Sequence, residues 1–275
     1  MQSAHGKKIK VLQNNVELFG QLYISMQSRS SDLDEFFSHE IQSYPPALSD
    51  FGKLHTPSAK SELLKSFVKI ESTDELNSYD CKILDGAAIV HSLTTNGMAT
   101  FYDYADRVFI PHIVKHLRES KRLDLVWDSY IPDSLKESTR EKRGKGLRRK
   151  VSGQAKLPGN WKDFLRDNDN KKELFQYLTN KVSDMVCPAE KVVFVTNGSS
   201  VIRVSADLYQ PMSDCNHEEA DTRIVVHVLH ALNHGCVSVS VRTVDTDVIV
   251  ILLGSFHHFI KAQPSAKVFV EFWNG

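Results

Sequence analysis

The stretch CVSVSVRTVDTDVIVILLG, residues 236–254, decides the fold. Its first half alternates small or polar residues with valine, the period of a β-strand, and that strand reaches Asp245. Six apolar residues follow, Val248 to Leu253, which belong in a protein interior. Between the two halves stand Asp245 and Asp247, one residue apart, with Arg242 the only cation beside them. Half-buried carboxylates are costly unless something pairs with them. The chain on either side has to supply the partner.

Working upstream, EEADTRIVVHVLHALNHG (218–235) predicts a helix with an apolar stripe of Ile224, Val225, Val228, Leu229 and Leu232, closed by Gly235. KVVFVTNGSSVIRVSA (191–206) predicts a β-hairpin around Asn197-Gly198. NWKDFLRDNDNKKELFQYLTNKVSDM (160–185) predicts helix, and RLDLVWDSYIPDSL (122–135) a strand ending at Asp128. FYDYADRVFIPHIVKHLRES (101–120) has helical spacing, with Pro111 marking a kink or a start. CKILDGAAIVHSL (81–93) gives a short strand, an Asp-Gly break, then helix. Strand and helix alternate, so the expected fold is α/β with a twisted, mostly parallel sheet flanked by helices and a small β-hairpin insertion. Residues 1–79, rich in Ser, Pro and Asp after VELFGQLYISM (16–26, helix or strand), read as a poorly structured region or linker.

Bulk properties narrow the function classes. Thirty-four basic and 34 acidic residues give a formal net charge of zero, so a nucleic-acid signal has to be local. Four scattered cysteines without a CxxC read as reduced thiols of an intracellular protein, nuclear or cytoplasmic. No apolar run approaches a membrane span, so no membrane partner is expected. The local signal is KESTREKRGKGLRRK, Lys136 to Lys150, with eight Lys/Arg against two Glu.

Asp85, Asp128 and Asp245 share one context: each follows an apolar run of strand type. Ligands of open α/β sheets bind beyond the carboxyl ends of the strands. Glu218, Glu219 and Asp221 open the helix before the third of these strands and face the same edge. Capping a helix start explains any one of them, at roughly 1 kcal/mol. It explains the set less well, because like charges about 5 Å apart at an effective dielectric near 20 repel by roughly 3 kcal/mol per pair. Hard divalent cations, Mg²⁺ or Mn²⁺, are the usual counter-charge for gathered carboxylates.

In this order the motifs are recognisable. Residues 81–254 resemble the flap endonuclease and xeroderma pigmentosum G family of 5′ nucleases, in the PIN-like superfamily. ILDGAAIVH is similar to that family's N-terminal Asp-Gly block, and LVWDSYIPDSLKESTREKR to its Asp…Pro…Lys…Arg block. EEADTRIVVHVL resembles its internal acidic helix, and VRTVDTDVIVILLG its DxD pair. HEEADTRI and DTDV are also similar to motifs carried by a group of animal proteins. The resemblance implies a PIN-like core over 80–275 that hydrolyses phosphodiesters of DNA, or less expectedly RNA, with two Mg²⁺ or Mn²⁺ ions. Asp85, Asp128, Glu219, Asp221, Asp245 and Asp247 would hold the ions. Lys136 and Arg143 would meet the scissile phosphate beside Asp85 and Asp128, and His91 would stack on a substrate base. Arg140, Lys142, Lys145, Arg148, Arg149 and Lys150 would complete the nucleic-acid contact.

The family's later metal-ligand motif does not occur between Asp247 and Gly275, so the resemblance implies a C-terminally truncated core, inactive or weakly active as it stands. Two other classes remain open. One is a catalytically degenerate nucleic-acid or protein-interaction module. The other is a zinc protein using His227, His230 and His234, spaced i, i+3, i+7, with Cys215, His217 and Cys236. The plainer account of those three histidines puts them on the solvent face opposite the apolar stripe.

Overall fold

The computed structural model describes residues 4–28, 49–50, 53–54, 78–130, 146–204 and 210–272. Two units divide the chain, Met1–Val68 and Lys69–Gly275. In the first, helix α1 spans Ala4–Ser28, and Ser49–Asp50 pairs antiparallel with Lys53–Leu54. The stretch VELFGQLYISM is therefore helical, inside a region read as poorly structured.

In the second unit the Asp-Gly step at 85–86 does what the sequence suggests. Strand β1 (Tyr79–Asp85) ends and α2 (Gly86–Ser92) begins, with Asp85 as its N-cap. The next helix, α3, runs through Phe101–Tyr104, a π-helical segment Ala105–Phe109, and Ile110–Arg118. Pro111 stands at the first turn of the last piece, where its missing N–H costs least, directly after the widened π segment. Strand β2 (Ser120–Val126) follows, then the short α4 (Trp161–Phe164) and α5 (Asn168–Ser183). Asp167 caps α5 by accepting from Asn170 N, so the single helix read over 160–185 is two.

Strands β3 (Val192–Asn197) and β4 (Ser200–Val204) form the hairpin at Asn197-Gly198. Gly198, at φ 60°, supplies the left-handed turn. The hairpin is no separate insertion: β3 pairs parallel with β2, and β4 is an edge strand of the main sheet. Helix α6 (Ala220–Asn233), strand β5 (Ser238–Thr243), helices α7 (Thr246–Gly254) and α8 (Phe256–Ala262), and strand β6 (Lys267–Phe272) complete the unit. The apolar run Val248 to Leu253 is thus most of α7; Val248, Ile249 and Leu252 are buried, while Val250 and Leu253 face out.

The six strands lie in the order β4-β3-β2-β1-β5-β6, parallel throughout except for β3 with β4. Alternation along the strands feeds two cores. One face sends Leu84, Leu123, Leu125, Val193 and Val195 against α3 and α5; the other sends Cys81, Ile83, Val239 and Val241 against α6, α7 and α8. None of the described helices is long and apolar enough to cross a membrane.

Gly86 has a reason beyond chain reversal. A Cβ there would press into the Trp127 ring, which is stacked between Phe175 at 4.4 Å and Phe109 at 6.0 Å and has nowhere to retreat. Gly86→Ala is expected to cost about 1–3 kcal/mol, as overpacked cores do. Urea denaturation followed by tryptophan fluorescence measures it, and an unchanged midpoint would mean that the ring can move.

Candidate functional site

The order of strands puts a topological switch between β1 and β5, because the chain builds outward from β1 first on one side and then on the other. That crevice, beyond the carboxyl ends, is where open parallel sheets hold ligands. Register fixes what reaches it. Asp85 pairs with Val126, and Leu84 with Arg242, so Asp85 is level with Thr243. Asp128 and Asp245 each lie two residues past that level, roughly 7 Å further along the strand direction.

Each of the three aspartates meets the start of a helix. Asp85 Oδ1 accepts from Ala88 N at 3.0 Å, and its Oδ2 accepts from Thr243 Oγ1 at 3.2 Å. Asp128 Oδ1 accepts from Ala220 N at 2.9 Å, reaching from β2 to the first turn of α6. Asp245 caps α7, accepting from Asp247 N at 2.8 Å. The strand-end carboxylates thus sit on helix N-termini, whose free N–H groups and positive dipole ends favour them.

Capping satisfies them one by one; it does not relieve their mutual repulsion. Burial, with Asp128 and Asp245 adding to it, pushes the Asp85 carboxyl up to about 6. Asp221, in the first turn of α6, is raised by burial and then by Glu219, Asp128 and Asp245. Asp85, Asp128, Glu219, Asp221 and Asp245 therefore share one electrostatic neighbourhood. Glu219 is the N-cap residue of α6 but makes no capping bond with its side chain, and Asp247 lies half-buried in the first turn of α7. As they stand these side chains do not close on a point: among the described residues no three His, Cys, Asp or Glu groups are arranged to hold a metal ion.

His91, exposed in the last turn of α2, is within electrostatic reach of Asp128 and Lys171. Of the basic block, Lys136, Arg140, Lys142, Arg143 and Lys145 lie outside the described residues. Arg148 pairs with Glu173 and donates to Asn170 Oδ1 at 2.9 Å, while Arg149 donates to Lys156 O at 3.2 Å. The Arg148 guanidinium holds the segment before α4 against α5, and that of Arg149 braces the segment on itself, structural roles beside the phosphate contact expected of them. Lys150 is exposed.

No protein-family model, curated protein or solved structure matches the chain.

The zinc reading does not fit the helix. His227 is 1% exposed, so it is not on a solvent face either. It lies three residues after Ile224 and four before Ala231, on the side of α6 that packs on β2. There its Nδ1–H donates to Asp124 Oδ2 at 2.6 Å. Asp124 also takes two bonds from Arg122, Nε at 2.7 Å and Nη2 at 2.6 Å. Arg122 Nη1 donates to His230 Nδ1 at 2.8 Å, and His234 Nδ1–H donates to His230 O at 2.7 Å. Burial and then the Arg122 guanidinium push His230 down to about 4, so it is a neutral acceptor near pH 7. Arg122 and, secondarily, His227 hold Asp124 well below the usual carboxylate range despite its complete burial. His217, before the start of α6, lines a cavity with Cys215, apart from this network.

Sequence reasoning missed the Arg122–Asp124–His227 network, Thr243 and Arg223. Arg223, 1% exposed, donates Nη1 to Ser129 Oγ at 2.7 Å and Nη2 to Gly198 O at 2.7 Å. A signal was available: an arginine one turn into an acidic helix start has carboxylates for neighbours.

Proposed function

We propose that the carboxyl edge of this sheet is a divalent-cation site for phosphodiester hydrolysis, of the kind the 5′ nuclease resemblance implies. One observation carries the reading. Asp85 at the end of β1 and Asp221 at the start of α6 have their proton affinity raised by burial and by the nearby carboxylates of Asp128 and Asp245, at the switch point of a mostly parallel sheet. A carboxyl shifted by burial and by neighbouring charges in a crevice marks a candidate functional site.

The donor set fits a hard cation in its chemistry, being all carboxylate oxygen. Asp85, Asp128, Asp221 and Asp245, with Glu219 and Asp247 beside them, would hold Mg²⁺ or Mn²⁺. The bound ion supplies charge neutralisation at the phosphate and a more acidic water. The chain's own part is positioning: Thr243 and the α2 N-terminus fix Asp85, and the N-terminus of α6 fixes Asp128. Lys136 and Arg143 are the groups assigned to the scissile phosphate, and DNA is the favoured substrate.

Calorimetric titration with Mg²⁺ or Mn²⁺ is expected to show binding that Asp128→Asn or Asp245→Asn weakens at least about tenfold, since each removes one charged ligand. Flapped and single-stranded DNA should be cut weakly, and only with the metal present. Tight metal binding without cleavage would leave the interaction-module reading; no metal binding at all would end the proposal.

A further inference from the structure

A cavity of about 420 Å³ opens beside the acidic edge, between the ends of β2 and β3 and the middle of α5. It is distinct from the carboxylate group except at Asp128, which lines both. Its volume is that of a small-ligand site. Three features of its walls narrow the ligand.

One wall is aromatic. Trp127, Phe175 and Tyr130 line it; Trp127 and Phe175 are stacked at 4.4 Å, and the Trp127 Nε1–H is tied to Thr179 Oγ1 at 2.9 Å. Tyr130 is half-buried, and the Lys171 and Lys172 ammonium groups lie 5.0 and 5.9 Å from its ring centre. The opposite wall is polar and comes from two loops: Asn197 and Ser199 from the hairpin, Asn216 and His217 from the segment before α6. Primary amides both donate and accept, so such a wall matches a planar ring with alternating donors and acceptors on its edge.

The third feature is rigidity. Buried Arg223 clamps Ser129 and Gly198, Ser129 Oγ donates to Gly198 O at 3.2 Å, and Cys215 N donates to Ser199 O at 2.8 Å. All three loops that line the cavity are thereby stitched together. Burying a charged side chain for that purpose is costly, and the return is a preformed cleft.

We propose that this cavity takes one nucleotide of a single strand, base first. Half-buried Tyr130 stacks the base above a floor made by Trp127 and Phe175, the amides and His217 read its edge, and Lys172 meets the phosphate. With Asp128 at the boundary, the adjoining phosphate would be carried to the acidic edge. The inference rests on the hydrolase reading for that last step alone; the base pocket stands on its own walls.

The test uses the full chain in EDTA, with AMP and dTMP as probes and ribose 5-phosphate as the base-less control. Ligand-observed NMR is expected to show mononucleotide binding at about millimolar affinity or better, and stacking should make it at least about fivefold tighter than ribose 5-phosphate. Asn216→Ala and Lys172→Ala, both at exposed positions, should each weaken it severalfold without unfolding the protein. Absence of mononucleotide binding, equal binding of ribose 5-phosphate, or indifference to both substitutions would overturn the pocket. A parallel metal-dependent DNA cleavage assay separates the two readings. Nucleotide binding without cleavage defeats the hydrolase and keeps the pocket, whereas cleavage without nucleotide binding does the reverse.

Discussion

Asp124→Ala is expected to destabilise the protein by about 3–5 kcal/mol, the largest effect of any single change considered for this chain. The mutation removes the two carboxylate acceptors of a guanidinium that is 0% exposed, and the His227 Nδ1–H loses its partner as well. Arg122 would keep contact with His230, Met212 and the face of Phe194, 4.3 Å from its ring, none of which carries a compensating charge at neutral pH. For a unit of roughly 200 residues the melting temperature should fall on the order of 10 °C. The informative companion is Arg122→Met with Asp124→Leu, which removes the whole pair and should recover most of the loss. An Asp124→Ala protein within about 1 kcal/mol of the parent would show that water reaches the network.

The second large effect changes sign with conditions. Asp85→Asn, without metal, is expected to stabilise the protein by about 3 kcal/mol at pH 8. The sign follows from the direction of the shift. Folding raises the carboxyl from its ordinary 3.8 to about 6, so the folded state resists ionisation. Stability held below pH 4 is lost as pH rises through 6, and asparagine has no charge to lose it by. The gain should be absent near pH 4, should grow between 4 and 6, and should stay level above. Ala88 N keeps an acceptor, because an asparagine oxygen caps as well as a carboxylate does. Saturating Mg²⁺ should reverse the order, raising the melting temperature of the parent and leaving the variant unmoved. DNA cleavage should be lost with it. A variant no more stable than the parent at pH 8 would mean the aspartate is better paired than its surroundings indicate, and a variant still stabilised by Mg²⁺ would place the cation elsewhere.

The two positions differ in how far the sequence exposes them. Asp85 was legible because it stands where apolar strand gives way to Gly-Ala-Ala and a helical run, a junction with a chemical signature. Asp128 and Asp245 are marked in the same way, and α/β alternation follows from the periods between them. Arg122 and Asp124 carry no such mark. The pattern Arg-Leu-Asp-Leu reads as a strand with one wet face, and only the sheet order, with β1 and β3 on either side and helices above and below, makes both faces dry. Which residue a buried charge pairs with depends on neighbours supplied 100 residues away, as His227 is to Asp124 at a separation of 103. The histidines of α6 misled for a related reason: 3.6 residues per turn brings His227 round to the same side as Ile224 and Ala231, although its neighbours in sequence are valines. Strand β6 was not singled out, although Pro264-Ser265 breaks the chain before KVFVEF and Val268 and Val270 alternate with other residues. The nucleotide cavity was invisible because its walls come from four separate segments, none with a pattern of its own.

The position of β1 also has a consequence in time. Its two neighbours in the sheet are β2, next along the chain, and β5; the contact between Asp85 and Thr243 spans 158 residues. On a ribosome adding about 5–20 residues per second, that interval lasts on the order of 8–30 s. Throughout it one edge of β1, with Cys81 and Ile83 destined for the core, has no native strand to pair with. The acidic edge is likewise completed late, since Asp245 arrives when five of the six strands have already been made. A nascent chain released before residue 243 would carry an open hydrophobic strand edge, the kind of surface that holding chaperones cover and that otherwise drives aggregation.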